Sequence, residues 1–314
     1  MGRRFVTVLG TMKKMYLYYI LFIPVLAYFI IFSYAPMYGV TLAFKDFKAI
    51  DGIMGSPWVG LKHFTRLFSS SVFWEVVRNT LMINLWRIIF AFPAPVILAL
   101  LINEVRHNAF KRTVQTISYL PHFISWVILS GIINEVLSPS RGALNYLITV
   151  FGGQPIYFLA EVGWFRAILV ITGIWQSVGW GTIIYLAAIS GIEQEQYESA
   201  YIDGANRWHL VKYITVPSII PVVSIMLILT LGGILNGGFD QVFNLYSPPV
   251  FRVGDIIDTY VYRVGLGVTA FGARPPDFSF ATAVGLFKNV IGLFLVLGTN
   301  FLAGKLNDGE GAIW

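Results

Sequence analysis

Apolar residues fall into six long runs separated by polar connections of very unequal length. The runs cover about 16–38, 80–102, 114–137, 165–190, 218–239 and 281–303. As helices, each can cross a hydrocarbon core ~30 Å thick, which takes roughly 20 residues. Lipid offers backbone groups no hydrogen-bond partner, so a helix is the expected form. The pattern predicts an all-α membrane protein with six transmembrane helices. The first run exceeds the roughly 7 to 15 apolar residues of a signal peptide and is not followed by a small-residue cleavage site, so it is expected to remain as a helix.

The connections subdivide the chain. Residues 1–15 place paired basic residues at both ends of FVTVLGTM, a composition open to a short interfacial helix or a plain tail. Residues 16–79 combine the first span with a segment, 39–79, whose Gly, Pro and aromatic punctuation predicts a small folded cap. Residues 80–304 form the transmembrane core, and 305–314 a tail. Within 240–280, Ile256, Ile257, Tyr260, Val261 and Val264 suit one face of an amphipathic helix. Pro24, Pro93, Pro95, Pro121 and Gly232-Gly233 predict kinks within spans. Gly233 and Gly237 form a GxxxG spacing suited to close helix packing.

Composition agrees with this picture. Of 314 residues, 56% are hydrophobic and 12% charged, and the mean hydropathy is +0.70. With the N-terminus inside, basic residues divide evenly between the two sides, but those inside are concentrated in the shorter connections, which favours cytoplasmic N- and C-termini. The net charge of +6 then faces anionic lipid rather than nucleic acid. Cysteine is absent, which excludes disulfides, thiolate metal sites and cysteine nucleophiles.

One connection stands apart. Residues 195–217, EQYESAYIDGANRWHLVKYITVP, set charge between two of the most apolar runs. The spacing predicts a helix over 193–203, with Glu195 and Glu198 on one face and Tyr197, Ala200 and Tyr201 on another. Gly204 supplies the left-handed residue that ends it. Asn206 is the expected cap of a second helix, with Trp208, Val211 and Ile214 or Thr215 on one face. Pro217 is expected to stop that helix and Pro221 to open the next span.

This stretch resembles the cytoplasmic signature of the integral-membrane subunits of ABC importers, which reads EAA, then a glycine, then I-x-L-P. Here it appears as Glu198-Ser199-Ala200, Gly204 and Ile214-Thr215-Val216-Pro217, with the sugar-permease Asp-Gly-Ala as Asp203-Gly204-Ala205. Ser199 and Val216 depart from the pattern by small or apolar swaps. The segments PMYGVTLAFKDF, GSPWVGLKHF, RNTL, LALLINEVR, FKRTVQTISYLPHFISW and GIWQSVGWGTIIYLAAISGI extend the likeness to the LplB-type branch of carbohydrate permeases over nearly the whole chain.

The resemblance implies a type I ABC importer permease fold with a cytoplasmic coupling-helix loop at 193–217. It implies a bacterial cytoplasmic-membrane subunit that imports an oligosaccharide or complex sugar by alternating access. Expected partners are a second permease in a heterodimer, two cytosolic ATPase subunits and an extracellular or periplasmic sugar-binding protein. Glu198, Ala200, Asp203, Gly204 and Ala205 would form the ATPase contact and its turn. No cofactor is expected on this chain. ATP and Mg belong to the partner ATPase, since no GxxxxGK[ST] occurs and Gly304-Lys305 lacks its other members. Neither HExxH nor GxSxG occurs, so no catalytic residues and no metal are expected.

For the substrate path the residue types offer candidates. Gln176 and Trp180 lie four apart in the fourth span beside Trp175, and Asn236 and Asp240 repeat that spacing in the fifth. Arg87 and Lys288 lie within spans, where a charge either faces a cavity or partner or snorkels outward. The alternative class is an ion-coupled secondary transporter of small polar solutes, which would place carboxylates in mid-span; the apolar cores contain none.

Overall fold

A computed structural model describes residues 15–269, 272–273 and 275–306. The expected N-terminal segment therefore lies almost wholly outside the described residues, as does the tail beyond residue 306. Five helices among the described residues are long and apolar enough to cross a membrane, and a pair bent by 104° makes a sixth crossing if taken as one span. In chain order the spans are Tyr16–Phe44, Ser71–Glu104, the bent pair Asn108–Phe123 with Trp126–Leu137, Val162–Ser190, Arg207–Gly232 and Phe278–Phe301. One end of the bundle carries the long connections 45–70, 138–161 and 233–277, and the other carries the short connections 105–107 and 191–206.

The first span is nearly bare. From Tyr16 to Val40 none of its side chains is fully buried, and it changes from α-helix to a π turn at Ile30–Tyr34 and to 3-10 helix at Ala35–Phe44. It joins the bundle at its end, where Ala43 is fully buried, and just beyond it Phe47 N donates to Ser279 Oγ at 3.0 Å and the Phe47 ring meets Phe278 edge-on. The cap that follows is folded. Asp46 N donates to Pro57 O, Val59 N donates to Phe44 O, and the buried Lys45 ammonium donates to the carbonyls of Ile53 and Met54.

The second span begins at Ser71, nine residues before the apolar run. Ser70 caps it by accepting from Phe73 N, and Glu75, Arg78 and Asn79 occupy turns that apolarity alone could not include. Pro93 and Pro95 do not kink it sharply. The helix widens to a π turn at Arg87–Ala91, where Phe92 N reaches Arg87 O at 2.9 Å. A wider turn of this kind relieves the clash of a proline ring with the carbonyl four residues earlier.

The third run bends at Pro121, where a kink is expected, and the bend of 104° separates two helices, Asn108–Phe123 and Trp126–Leu137. Pro121 opens a 3-10 turn, and Ile124 and Ser125 are extended before a new helix starts at Trp126. The fifth span departs from expectation. The cap at Asn206 is present, its side chain accepting from His209 N at 2.9 Å, but Pro217 does not stop the helix. Residues Arg207–Leu210 pass through a π turn, Val211–Thr215, straight into Val216–Gly232. Because a π turn bonds five residues back, it absorbs the donor that Pro217 lacks, and Pro221 lies inside the helix rather than at its start.

In lipid the hydrophobic drive between helices is weak, so close packing has to hold them. The central fourth span provides it with glycines. A Cβ on Gly179 would lie 2.1 Å from the Ser118 carbonyl oxygen, and one on Gly181 would lie 3.0 Å from the Pro95 ring. Gly232 similarly meets Val296 of the sixth span. Near the long-loop end, Ile83, Leu129, Phe165, Leu169, Val242 and Ile256 form one core. Leu67, Phe73, Ile257, Phe280 and Val284 form a second.

Candidate functional site

Among the described residues, the short-loop end presents a single folded polar turn. Gln194–Ile202 is helical, one residue shorter at each end than expected. It closes through paired bonds, from Ala205 N to Ala200 O at 2.9 Å and from Gly204 N to Tyr201 O at 3.1 Å, the double closure of a Schellman motif. Gly204 sits at φ +83°, where a Cβ would strain the backbone.

Side chains then divide into two groups. Ala200 and Ala205 are half-buried and hold the turn, whereas Glu198, Asp203 and Gly204 face outward. Tyr201 and Ile202, at 58% and 88% exposed, protrude beside them. Sequence reasoning missed Ile202; its place as the last helical residue before the cap was the available signal. The turn is tethered by one polar contact, Tyr197 Oη to the buried Thr215 Oγ1 at 3.0 Å. Trp208, expected to share a face with Val211, is 68% exposed.

Inside the bundle the candidate path residues are rearranged. Gln176 and Trp180 do share a face, and what they meet there is His122, at the bend of the third span. Its ring stacks on Trp180 with centroids 4.6 Å apart and 4° between planes, and its carbonyl accepts from Gln176 Nε2 at 3.5 Å. Trp175 is exposed one position away. His122 was not among the sequence candidates, because only the bend brings it to this face. Its buried Nδ1 has no hydrogen-bond partner.

Asn236 and Asp240 do not share a helical face. The fifth helix ends at Gly232, residues 233–238 are non-helical, and a new helix, Phe239–Leu245, starts after Gly238 at φ +73°. Gly233 and Gly237 are thus not a helix-packing motif either. Gly237 is small because Ile256 lies against it, 2.6 Å from where a Cβ would stand. Asn236 is exposed within this break and Asp240 is exposed just after it.

A helix broken within the bundle frees carbonyls and amides that lipid cannot satisfy. Side chains from the second span and the long-loop segment satisfy them. Asn84 Nδ2 donates to Ile234 O at 2.8 Å, and Arg87 donates to Gly237 O at 2.8 Å and to Gln241 Oε1 at 2.7 Å. Gln241 in turn donates to Leu169 O and Thr172 Oγ1 of the fourth span. Asp258 accepts from Gly237 N and pairs with Lys288. The two intramembrane charges therefore neither snorkel nor line open space: Arg87 and Lys288 hold the break from opposite sides. A second ion pair, Arg263 with Asp255, anchors the helix Ile257–Leu266. Burial pushes the Asp255 carboxyl above the usual carboxylate range, with Arg263 acting in the opposite direction.

No group of three or more His, Cys, Asp or Glu side chains that could hold a metal ion occurs among the described residues. Residues 91–305 match the family described as "Binding-protein-dependent transport system inner membrane component". The chain is 45% identical over 293 residues to Protein LplB of Bacillus subtilis strain 168, covering 93% of this chain and 90% of that one. It is 43% identical over 290 residues to the polygalacturonan/rhamnogalacturonan transport system permease protein YteP of the same strain, covering 92% and 88%. The fold superimposes with a TM-score of 0.87 on a chain in the crystal structure of a bacterial ABC transporter involved in the import of the acidic polysaccharide alginate. Identity there is 40%, over 96% of this chain and 99% of that one.

Proposed function

We propose, because the chain belongs to the family of binding-protein-dependent transport system inner membrane components, that it is the permease subunit of an ATP-driven importer of oligosaccharides. The carbohydrate assignment rests on relatives that act on polygalacturonan, rhamnogalacturonan and alginate. The observation that carries the coupling role is the exposed turn, Glu198 to Gly204, with Ile202 bared at its tip. A rigid turn presenting carboxylates around one apolar residue suits a cleft on a soluble protein, with the carboxylates at the rim and Ile202 in the pocket.

In this reading the short-loop end and both termini are cytoplasmic. The turn docks on a separate ATPase that binds ATP and Mg. A second permease completes the path, and a binding protein delivers sugar to the long-loop end. ATP binding closes the ATPase pair, the docked turns move with it, and the spans expose the path first to one side and then to the other. Trp175, Gln176 and Trp180, joined by His122, offer the aromatic faces and amide donors that hold a sugar ring. Asn236 and Asp240, exposed at the break, are the other candidates for the path. The secondary-transporter alternative lacks support, since each carboxylate of the interior network is committed to a cation.

The test is reconstitution of the chain with the proteins encoded beside it, measuring saccharide-stimulated ATP hydrolysis. Gly204→Val forces a β-branched residue to φ +83°, a strain of about 1–3 kcal/mol that the turn escapes by rearranging. Stimulated hydrolysis should be lost while membrane insertion is retained. Hydrolysis stimulated as in wild type would refute the assignment.

A further inference from the structure

The connection 138–161 has no charged residue and no histidine between Arg141 and Glu161, whereas 45–70 and 233–277 carry charges of both signs. A helix that faces water turns its apolar side chains inward and its polar ones outward. The helix Ala143–Val150 does the reverse. Its asparagine is buried, Asn145 being 2% exposed, while Leu147, Val150 and the following Phe151 are 52%, 60% and 86% exposed. Asn145 locks that orientation. Its Nδ2 donates to the carbonyls of Leu137, Ser138 and Ile156, and its Oδ1 accepts from Ile156 N at 2.7 Å. Both ends of the segment are thus tied to one buried amide, and the helix cannot roll its apolar face inward without stranding those groups.

The segment is also held at a defined level. Trp164, exposed in the first turn of the fourth span, stands immediately before that span's apolar run and marks a membrane–water boundary, where tryptophan and tyrosine concentrate. The foot of the segment lies beside it: the Phe158 ring meets Trp164 edge-on with centroids 5.5 Å apart, and Phe158 and Leu159 join the core that holds Phe165. Tyr146 and Tyr157 are exposed on the segment itself, and exposed Arg141 and Glu161 keep charge at its two edges. A soluble partner that docks and leaves is met by a polar rim and guided by charge. This face has no charge to offer, and the helix before it, Trp126–Leu137, likewise bares Val127, Ile128, Ile132 and Val136.

We infer that residues 143–157 are a membrane anchor, which seats Leu147, Val150 and Phe151 in the leaflet at the long-loop end and holds Tyr146 and Tyr157 at headgroup level. The occupant of the bare face is lipid, bound through apolar area rather than through a particular headgroup. The anchor sets the depth of the third and fourth spans at that end, and does so whatever solute the chain carries.

The test uses the full chain, reconstituted in phosphatidylcholine vesicles with cysteine-free versions of the proteins encoded beside it. Because the chain has no cysteine, Leu147→Cys, Val150→Cys and Phe151→Cys each take a single nitroxide label, and Asp51→Cys, exposed in the cap, is the aqueous reference. Accessibility of each label to dissolved oxygen and to a neutral nickel chelate is measured by power saturation. Oxygen enters hydrocarbon and a polar chelate is excluded from it, so the oxygen-to-chelate ratio should be at least about tenfold higher at the three positions than at Asp51→Cys. A ratio equal to that of the reference would place the face in water, and low accessibility to both reagents would place it against another protein, whether the second permease or a binding protein. Either result would overturn the inference. All three positions are exposed, so cysteine removes no core contact there and each label is an independent measurement.

Discussion

Replacing Arg87 with methionine should loosen one short segment without unfolding the protein. The guanidinium makes two good hydrogen bonds, to Gly237 O at 2.8 Å and to Gln241 Oε1 at 2.7 Å. A buried acceptor left unpaired costs about 1–3 kcal/mol, so the two together cost about 2–6 kcal/mol. Against this, the variant no longer buries a cation, which costs roughly 2.5–3.5 kcal/mol at the centre of a membrane helix. The two effects nearly cancel in overall stability, and the melting temperature of the complex should move little. At the break there is no such compensation. Opening residues 233–238 exposes Gly237 O to water in the variant but breaks its charged bond to Arg87 in the wild type. Local opening therefore becomes easier by about 2 kcal/mol, or roughly thirtyfold. Because the chain has no cysteine, Leu235→Cys gives a single reporter at a position 5% exposed. Its maleimide labelling should accelerate by about thirtyfold in the Arg87→Met background. Arg87→Lys, which can reach one acceptor at a time, should fall between. A labelling rate equal to that of the Leu235→Cys parent would refute the idea that Arg87 holds the break.

The Lys288–Asp258 pair, 14% and 23% exposed, should behave as a coupled unit. Lys288→Met or Asp258→Leu alone strands a partly buried charge and should cost about 3–5 kcal/mol by thermal melting of the purified complex, while the double variant recovers most of it; additive losses would show that the two do not interact. Gly179→Val should abolish the yield of monodisperse protein, because the obstructing atom is the Ser118 backbone oxygen and cannot turn aside. Gly163→Ala, with open space around it, is the matched control, and equal yields from the two would count against close approach of the helices.

Part of the site was legible in advance because its physics is local. The turn at Gly204 and the cap at Asn206 depend on backbone geometry within a few residues, and those residues announce it. Even there, the division of labour was not visible: Ala200 and Ala205 close the turn from inside, and Tyr201 and Ile202 occupy the surface. The candidate path fared unevenly for a related reason. Gln176 and Trp180 keep their helical spacing, but Asn236 lies within a break and Asp240 just after it; Gly232-Gly233 signals a kink there, whereas the end of the helix does not follow from glycines that are as compatible with a packed membrane helix as with its end.

By itself the sequence determined that this chain lives in a membrane, roughly where its spans lie and which connection is polar, because these follow from counting apolar residues against a fixed hydrocarbon thickness and from turn chemistry spanning a few residues. It also carried the signature that set the family expectation. Only the tertiary structure decided that the third run bends by 104°, that the fifth helix runs through Pro217 and stops at Gly232, and that Arg87 and Lys288 are braces. The reason is that a buried charge or a freed carbonyl is judged by its partner. The partners here, Asn84 with Ile234, Arg87 with Gly237, and Asp258 with Lys288, are between 30 and 150 residues apart, a distance over which a linear pattern carries no information about contact.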